Sequence, residues 1–148
     1  MFIESSSQPR CKLYFDATQS VPSGSPTILS FNSEDFDVGD LHDNAVNPSR
    51  LTIPVDGGVW LIHAQGQFQS GSDSGSREIR ILKNSTAIVA QTVLARGTGV
   101  LNDTIPAMVL EQPAASDYYE VQVQQTSGVT KNVNPGVGVT FFEAVKLW

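Results

Sequence analysis

Residues Tyr119 to Gln124 read YEVQVQ. Tyr119, Val121 and Val123 are apolar or aromatic, while Glu120, Gln122 and Gln124 carry a charge or an amide. A period of two sends alternate side chains to opposite faces of an extended chain, so this segment is a strand with one face in a core and the other in water. The period recurs along the sequence. No long window carries apolar residues at the three-and-four spacing of an amphipathic helix. The chain must therefore be built from half-buried antiparallel strands. Candidate strands are CKLYFDA, PTILSF, SRLTIPV, GGVWLIHAQGQF, REIRILKN, TAIVAQTVLA, GVLNDTIPAMVLEQ, DYYEVQVQQ and GVTFFEAVKLW, rich in Val, Ile, Thr and aromatics and bounded by Gly, Pro, Asn, Asp and Ser.

One of these breaks the simple pattern. In VWLIHAQGQF both parities begin apolar, Val59 and Leu61 on one, Trp60 and Ile62 on the other. A strand of that kind is covered on both faces, and a neighbouring subunit is the natural cover for the second. About eight to ten short strands with turns roughly every ten residues predict an all-β antiparallel sandwich of the jelly-roll kind. At 148 residues the chain suits a single domain, placed at 11–148, preceded by an arm over 1–10 whose Phe2, Ile3 and Arg10 could lie on a partner. QSGSDSGS, Gln69 to Ser76, cannot supply a core and reads as a long hairpin loop.

Charge and cysteine content remove several function classes. A formal charge of -6, with only nine Lys and Arg scattered along the chain, disfavours a nucleic-acid partner, which needs clustered cations to displace counterions from phosphate. A single cysteine, Cys11, allows no internal disulfide and no cysteine zinc site, and reads as a small buried hydrophobe. No segment approaches the roughly 18 apolar residues of a membrane span, and the start MFIESSSQPRCK lacks a signal-peptide pattern.

The stretch SEDFDVGDLHDN is the most chemically suggestive. Glu34, Asp35, Asp37, Asp40 and Asp43 crowd beside His42. A calcium hand needs oxygens at positions one, three and five and a glutamate at twelve. Counting from Asp35, Gly39 falls at five and Val46 at twelve, so the hand fails and only an irregular calcium site on Asp35, Asp37 and Asp40 remains open. Paired acids for glycoside cleavage need a buried, shaped cleft, which a polar loop does not predict. GSDSGS resembles the surroundings of a serine nucleophile only faintly; Ser72 replaces a glycine, and no buried acid stands out to orient His63. His63 falls within a strand, as a hydrogen-bonded structural histidine would. No nucleophile, base and oxyanion pocket assemble, and neither enzyme activity nor a cofactor is predicted.

The order of segments carries more information than any motif. In Ser30 to Phe68, Phe31, Glu34 and Asp37 keep a Phe-x-x-Glu-x-x-Asp spacing. Leu51, Thr52, Ile53 and Pro54 follow, and Gly58, Val59, Trp60 and Leu61 stand in a Gly-Val-Tyr place. This resembles the gC1q and tumour-necrosis-factor-like jelly rolls. REIRILKNSTAIV is similar to that family's next strand and Asn-Gly hairpin, with Ser85 where glycine is usual, and FFEAVKLW to its terminal strand, with Ala144 where glycine is typical. The resemblance implies three copies around a threefold axis, a terminal strand in the middle of the inner sheet, and a core or intersubunit seam holding Trp60, Phe142 and Trp148. It also implies function in exposed loops, with Asp37 to Asn47, Gly71 to Ser76 and Thr126 to Asn134 as a crown and Asp43, Asn44, Asp73, Lys131 and Asn132 displayed for a partner. The expected role is a non-enzymatic homotrimer on a larger particle, a bacteriophage virion protein serving as head decoration or as a fibre or tail-tip knob. Its partners would be capsid or tail proteins or a host-surface receptor. The alternative is a free receptor-binding or glycan-binding module.

Overall fold

Residues 8–54 and 57–148 are described by a computed structural model, and among them the alternation resolves into twelve strands and no helix. One sheet contains β1 (Arg10–Tyr14), β2 (Gln19–Val21), β4 (Ser33–Val38), β6 (Trp60–Phe68), β9 (Asp103–Glu111), β11 (Lys131–Val133) and β12 (Phe141–Lys146). Its order is β2-β11-β6-β12-β1-β4, with β9 on the free side of β6. The other contains β3 (Thr27–Ile28), β5 (Arg50–Thr52), β7 (Gly75–Lys83), β8 (Ala87–Arg96) and β10 (Tyr118–Gln125), in the order β3-β10-β7-β8 with β5 also beside β10. Every pairing is antiparallel. The terminal strand β12 lies between β6 and β1, inside its sheet.

The two sheets close on one core because each strand spends one parity inward. Trp60, Ile62, Ala64 and Phe68 of β6 meet Ile79 and Ile81 of β7 and Tyr119, Val121 and Val123 of β10, all fully buried. Phe15, Phe31 and Phe142 stack through it with centroids 5.8 and 5.7 Å apart, in the tilted geometry aromatic quadrupoles favour. Pro106 sits inside β9 without cost to the ladder, since β9 has a partner on one side only.

Three expectations are corrected. The strand number exceeds eight to ten because β2, β3, β5 and β11 have only two or three residues, too few to show a period. Ser33 to Val38, absent from the candidate strands, is a full strand pairing with β1. Arg10 is no part of an arm: it opens β1 opposite Val145 and Val38, and Pro9 accepts a backbone hydrogen bond from Lys146. Phe2 and Ile3 lie outside the described residues. No helix among those residues is long and apolar enough to cross a membrane.

Candidate functional site

Strand register determines what the seven-stranded sheet shows on its outward face. Phe36, Lys12, Glu143, His63 and Met108 stand side by side in one row across β4, β1, β12, β6 and β9. Val38, Arg10, Val145, Leu61 and Leu110 form the next. Met108 and Leu110 are each 61% exposed and Phe36 is exposed, so an apolar surface crosses the sheet away from the core. Four polar groups interrupt it, Lys12, Glu143 and His63 in the first row and Arg10 in the second. His63 Nδ1 lies 2.7 Å from Glu143 Oε1, its ring meets Phe141 edge-on at 5.2 Å, and Lys12 Nζ stands 4.5 Å from the Phe141 centroid. Phe141 is thereby covered although it points outward. The half-burial of Leu61 matches the doubly apolar start of β6 read from the sequence.

A second apolar strip lies at a sheet edge. β8 pairs with β7 alone, and from Ala87 to Ala95 it carries no charged residue. Ile88, Val93 and Leu94 are exposed along it. Long apolar edges with free backbone groups are a template for another chain unless covered.

The register of β10 separates the loops into two ends. Tyr118 and Glu120 pair with β5, next to the acidic loop, whereas Gln125 pairs with Arg77, next to loops 69–74 and 126–130. The three segments expected to form one crown therefore do not share an end: Asp37 to Asn47 stands opposite Gly71 to Ser76 and Thr126 to Asn134.

At the acidic end Asp37 accepts from the backbone N–H of Leu41 and His42 at 3.0 Å each, and buried Leu41 anchors the turn. Asp43 accepts from Ala45 and Val46 N–H, which hold its carboxyl below the usual range. Asp43 and Asn44 are exposed. His42 Nδ1 is 2.9 Å from Glu34 Oε1 and Nε2 is 3.1 Å from the Pro48 carbonyl oxygen. A cleft of about 260 Å³ opens between Asp40, Asp43, Asn47 and Arg50. Asp35, Asp37 and Asp40 do not converge on a cation, and among the described residues no group of three or more His, Cys, Asp or Glu is placed to hold a metal. Asp37 commits both carboxylate oxygens to its own turn.

At the other end stands a cluster that charge counting along the sequence did not point to. Arg77 is fully buried, and Asp103 and Lys131 nearly so. Asp73 pairs with Arg77 and Lys131, and Asp103 lies 3.2 Å from Arg77 Nε and 2.7 Å from Arg96 Nε. Burial pushes the Asp73 carboxyl up, but hydrogen bonds from Lys131 and Arg77 outweigh it and hold the group down to about 2. Asp73 and Lys131 are therefore corrected from displayed loop residues to members of a largely buried ion network. Asn132 is half-buried in β11, with its amide on Gln69 and its oxygen taken by Ser20. The signal was present: Arg77 shares parity with Ile79 and Ile81, and Asp103 with Ile105 and Ala107.

Of the three aromatics expected in core or seam, Trp60 and Phe142 are completely buried within the chain. Trp148 is not core: it is 70% exposed, and only its backbone is fixed, accepting from Val59 N–H at 3.0 Å. That carbonyl fills the space a Cβ on Gly58 would need, and Gly58 has φ 78°, so glycine is required there twice over. Cys11 is fully buried, and burial pushes its thiol far up, which leaves it inert as a nucleophile.

No family model matches this sequence, and no curated protein matches it. Solved structures do. Murine APRIL, in a crystal at pH 5.0, aligns with a TM-score of 0.69 over 95% of this chain and 99% of that one, at 11% identity. The globular domain of zebrafish complement 1qA aligns with a TM-score of 0.61 over 95% and 98%, at 12% identity. The fold is a jelly roll of the C1q and tumour-necrosis-factor kind. Identity this low shows architecture alone, and a jelly roll of this kind still takes its function from its surfaces.

Proposed function

We propose that the chain is a non-catalytic module that assembles as a homotrimer and acts as a structural or binding element on a larger particle. The observation that carries this is the outward face of the seven-stranded sheet, where Val145, Leu61, Leu110 and Met108 form an apolar surface that water covers poorly. The uncharged edge β8 supplies a second exposed apolar strip. An edge of one copy packed on the face of the next is a heterologous contact, and such contacts close into rings when the rotation permits. Three copies fit the architecture shared with the C1q-like neighbour, and closure covers the face and the free edge together.

The experiment is a mass measurement on the purified chain by sedimentation. The expected result is three times the chain mass. Met108→Asp with Leu110→Asp should weaken assembly by about a hundredfold or more, since two large apolar side chains would lose their cover. A wild-type monomer at high concentration sinks the reading. The particle, a bacteriophage virion on the sequence reading, is addressed by removing residues 2–7. Loss of particle binding with the trimer intact supports an arm that docks on capsid or tail proteins, and retained binding removes it.

A further inference from the structure

The cleft between the 40–47 loop and β5 has a fixed frame and uncommitted walls. Asp37 holds the backbone of Leu41 and His42, the fully buried His42 side chain spans from Glu34 to the Pro48 carbonyl oxygen, and Asp43 Oδ1 accepts from both Ala45 and Val46 N–H. The side chains that line the opening are spent on none of this. Asp40, Asn47 and Thr52 make no side-chain hydrogen bond to any described residue, and Asp43 keeps Oδ2 free. Arg50, in the same lining, is fixed without being used up. Its Cζ stands 4.0 Å from the Tyr118 ring centroid and its Nε donates to Glu120 Oε1 at 3.3 Å, while its terminal nitrogens meet no acceptor among the described residues. A guanidinium stacked on one face and tied at one edge is a preset fork of donors. Unlike charges thus line one cleft of about 260 Å³ without forming an ion pair across it.

That combination selects among ligands. A small anion would meet Arg50 but also Asp40 and Asp43, on a chain of formal charge -6. A metal cation would meet the acids but also Arg50, and no three acidic or imidazole groups among the described residues are placed to surround it. A hydroxyl suits both sides, because it donates to a carboxylate and accepts from a guanidinium at once. The cleft lies below the roughly 300–1,000 Å³ of sites for drug-sized molecules, which fits one small ring. Val46, also in the lining and 63% exposed, offers an apolar contact for the C–H face of such a ring. We propose that this cleft is a saccharide site that takes one neutral sugar ring by its adjacent hydroxyls, with Arg50 donating, Asp40 and Asp43 accepting, and Asn47 doing both. The inference rests on the binding half of the reading above and supplies its place and ligand class. It does not need the trimer, since every residue of the site comes from one chain.

The test titrates the isotope-labelled full chain with the methyl glycosides of glucose, galactose, mannose and fucose, and separately with glycine as a zwitterion and with inorganic phosphate as an anion. At least one glycoside should shift the amide signals of 40–47 and 50–52 saturably, with half-saturation on the order of 1–10 mM, and leave those of 97–102 in place. Two variants check the roles. Asn47→Gly keeps a residue that adopts φ 54° and removes the amide, and Arg50→Lys keeps the charge and removes the fork. Each should weaken that binding by about tenfold, with unmoved signals in β6, β7 and β12 reporting an intact fold. Four glycosides without a saturable shift overturn the inference. So does binding of glycine or phosphate in their place, or a glycoside shift that neither variant weakens. Sedimentation separates the two readings: a monomer that binds a glycoside sinks the trimer alone, and a trimer that binds none sinks this inference alone.

Discussion

At the end of the sandwich formed by loops 69–74 and 97–102, two carboxylates, Asp73 and Asp103, are fastened by Arg77, Arg96 and Lys131. At the opposite end Asp40 and Asp43 stand exposed, and Asp37 turns back onto its own backbone. The second end holds more acid per residue, yet it holds the weaker electrostatic structure. Charges in water are screened and cheap to leave alone, whereas charges removed from water must find partners or shift their proton. Density of acids along a sequence therefore marks solvation, and an acid or base at the inward parity of a strand marks organisation.

Removing one member from each end gives the largest contrast. Asp103→Ala leaves buried Arg77 and nearly buried Arg96 without their shared anion, and should cost about 3 kcal/mol or more. Asp40→Asn at the other end removes the charge but keeps a residue that tolerates φ 55°, and should stay within about 0.5 kcal/mol. Denaturant midpoints of the two variants measure this. Equal losses would mean that the buried network is no more organised than the exposed loop.

Acid titration sharpens the same contrast with a smaller effect. The folded-state carboxyl of Asp73 is held down to about 2, below its ordinary value near 3.8, so the unfolded chain takes up that proton first as pH falls. The stability it contributes is whole above pH 4 and is lost between about pH 4 and pH 2. Asp73→Asn should be less stable than wild type at neutral pH and should lack that part of the acid decline. Asp43 is also held low, by the N–H groups of Ala45 and Val46, but it is fully exposed. Asp43→Asn should leave the acid limb of the thermal stability curve in place. An Asp73→Asn curve parallel to wild type down to pH 2 would show that Lys131 and Arg77 do not hold the charged form.

Much of the fold was legible because it depends on period two. The long strands β6, β7, β8, β9, β10 and β12 fall where alternation runs, and the spacing around Phe31, Glu34, Asp37 and Pro54 pointed to the architecture that the solved structures share. The sheet order was not readable, since β1 pairs with β12 across more than a hundred residues and only tertiary packing brings them together. The candidate site was half legible. The doubled apolar parity at Leu61 announced an apolar outward face, but its continuation through Met108 and Leu110 appears only once β9 is set beside β6. The ion network joins β7, β8, β9 and β11 with the 69–74 loop, and no local pattern shows that Arg96 reaches carbonyls on both sides of a gap of thirty positions. Trp148 lies outside the chain's own core, since the chain end is held by its backbone and leaves the indole out, so only the seam half of its core-or-seam reading stays open.

The smallest expected effect lies in the hairpin between β7 and β8, at the acidic end. Asn84 and Ser85 have φ of 51° and 64°, the left-handed region that glycine and asparagine tolerate and serine does not. A non-glycine residue there costs about 1–2 kcal/mol. Ser85 has a compensation: its hydroxyl donates to Glu120 Oε2 at 3.0 Å and lies 2.8 Å from the Tyr118 hydroxyl. A hydrogen bond to a charged, nearly buried carboxylate is worth about 1.5–3 kcal/mol. Ser85→Gly relieves the backbone and loses the hydroxyl, so the two terms nearly cancel and the midpoint should move by less than about 1 kcal/mol. Ser85→Ala loses the hydroxyl and keeps the strain, and should be the less stable of the pair by about 1 kcal/mol. If alanine and glycine prove equal, the backbone at Ser85 holds no strain, and the hairpin keeps its serine for the Glu120 contact alone.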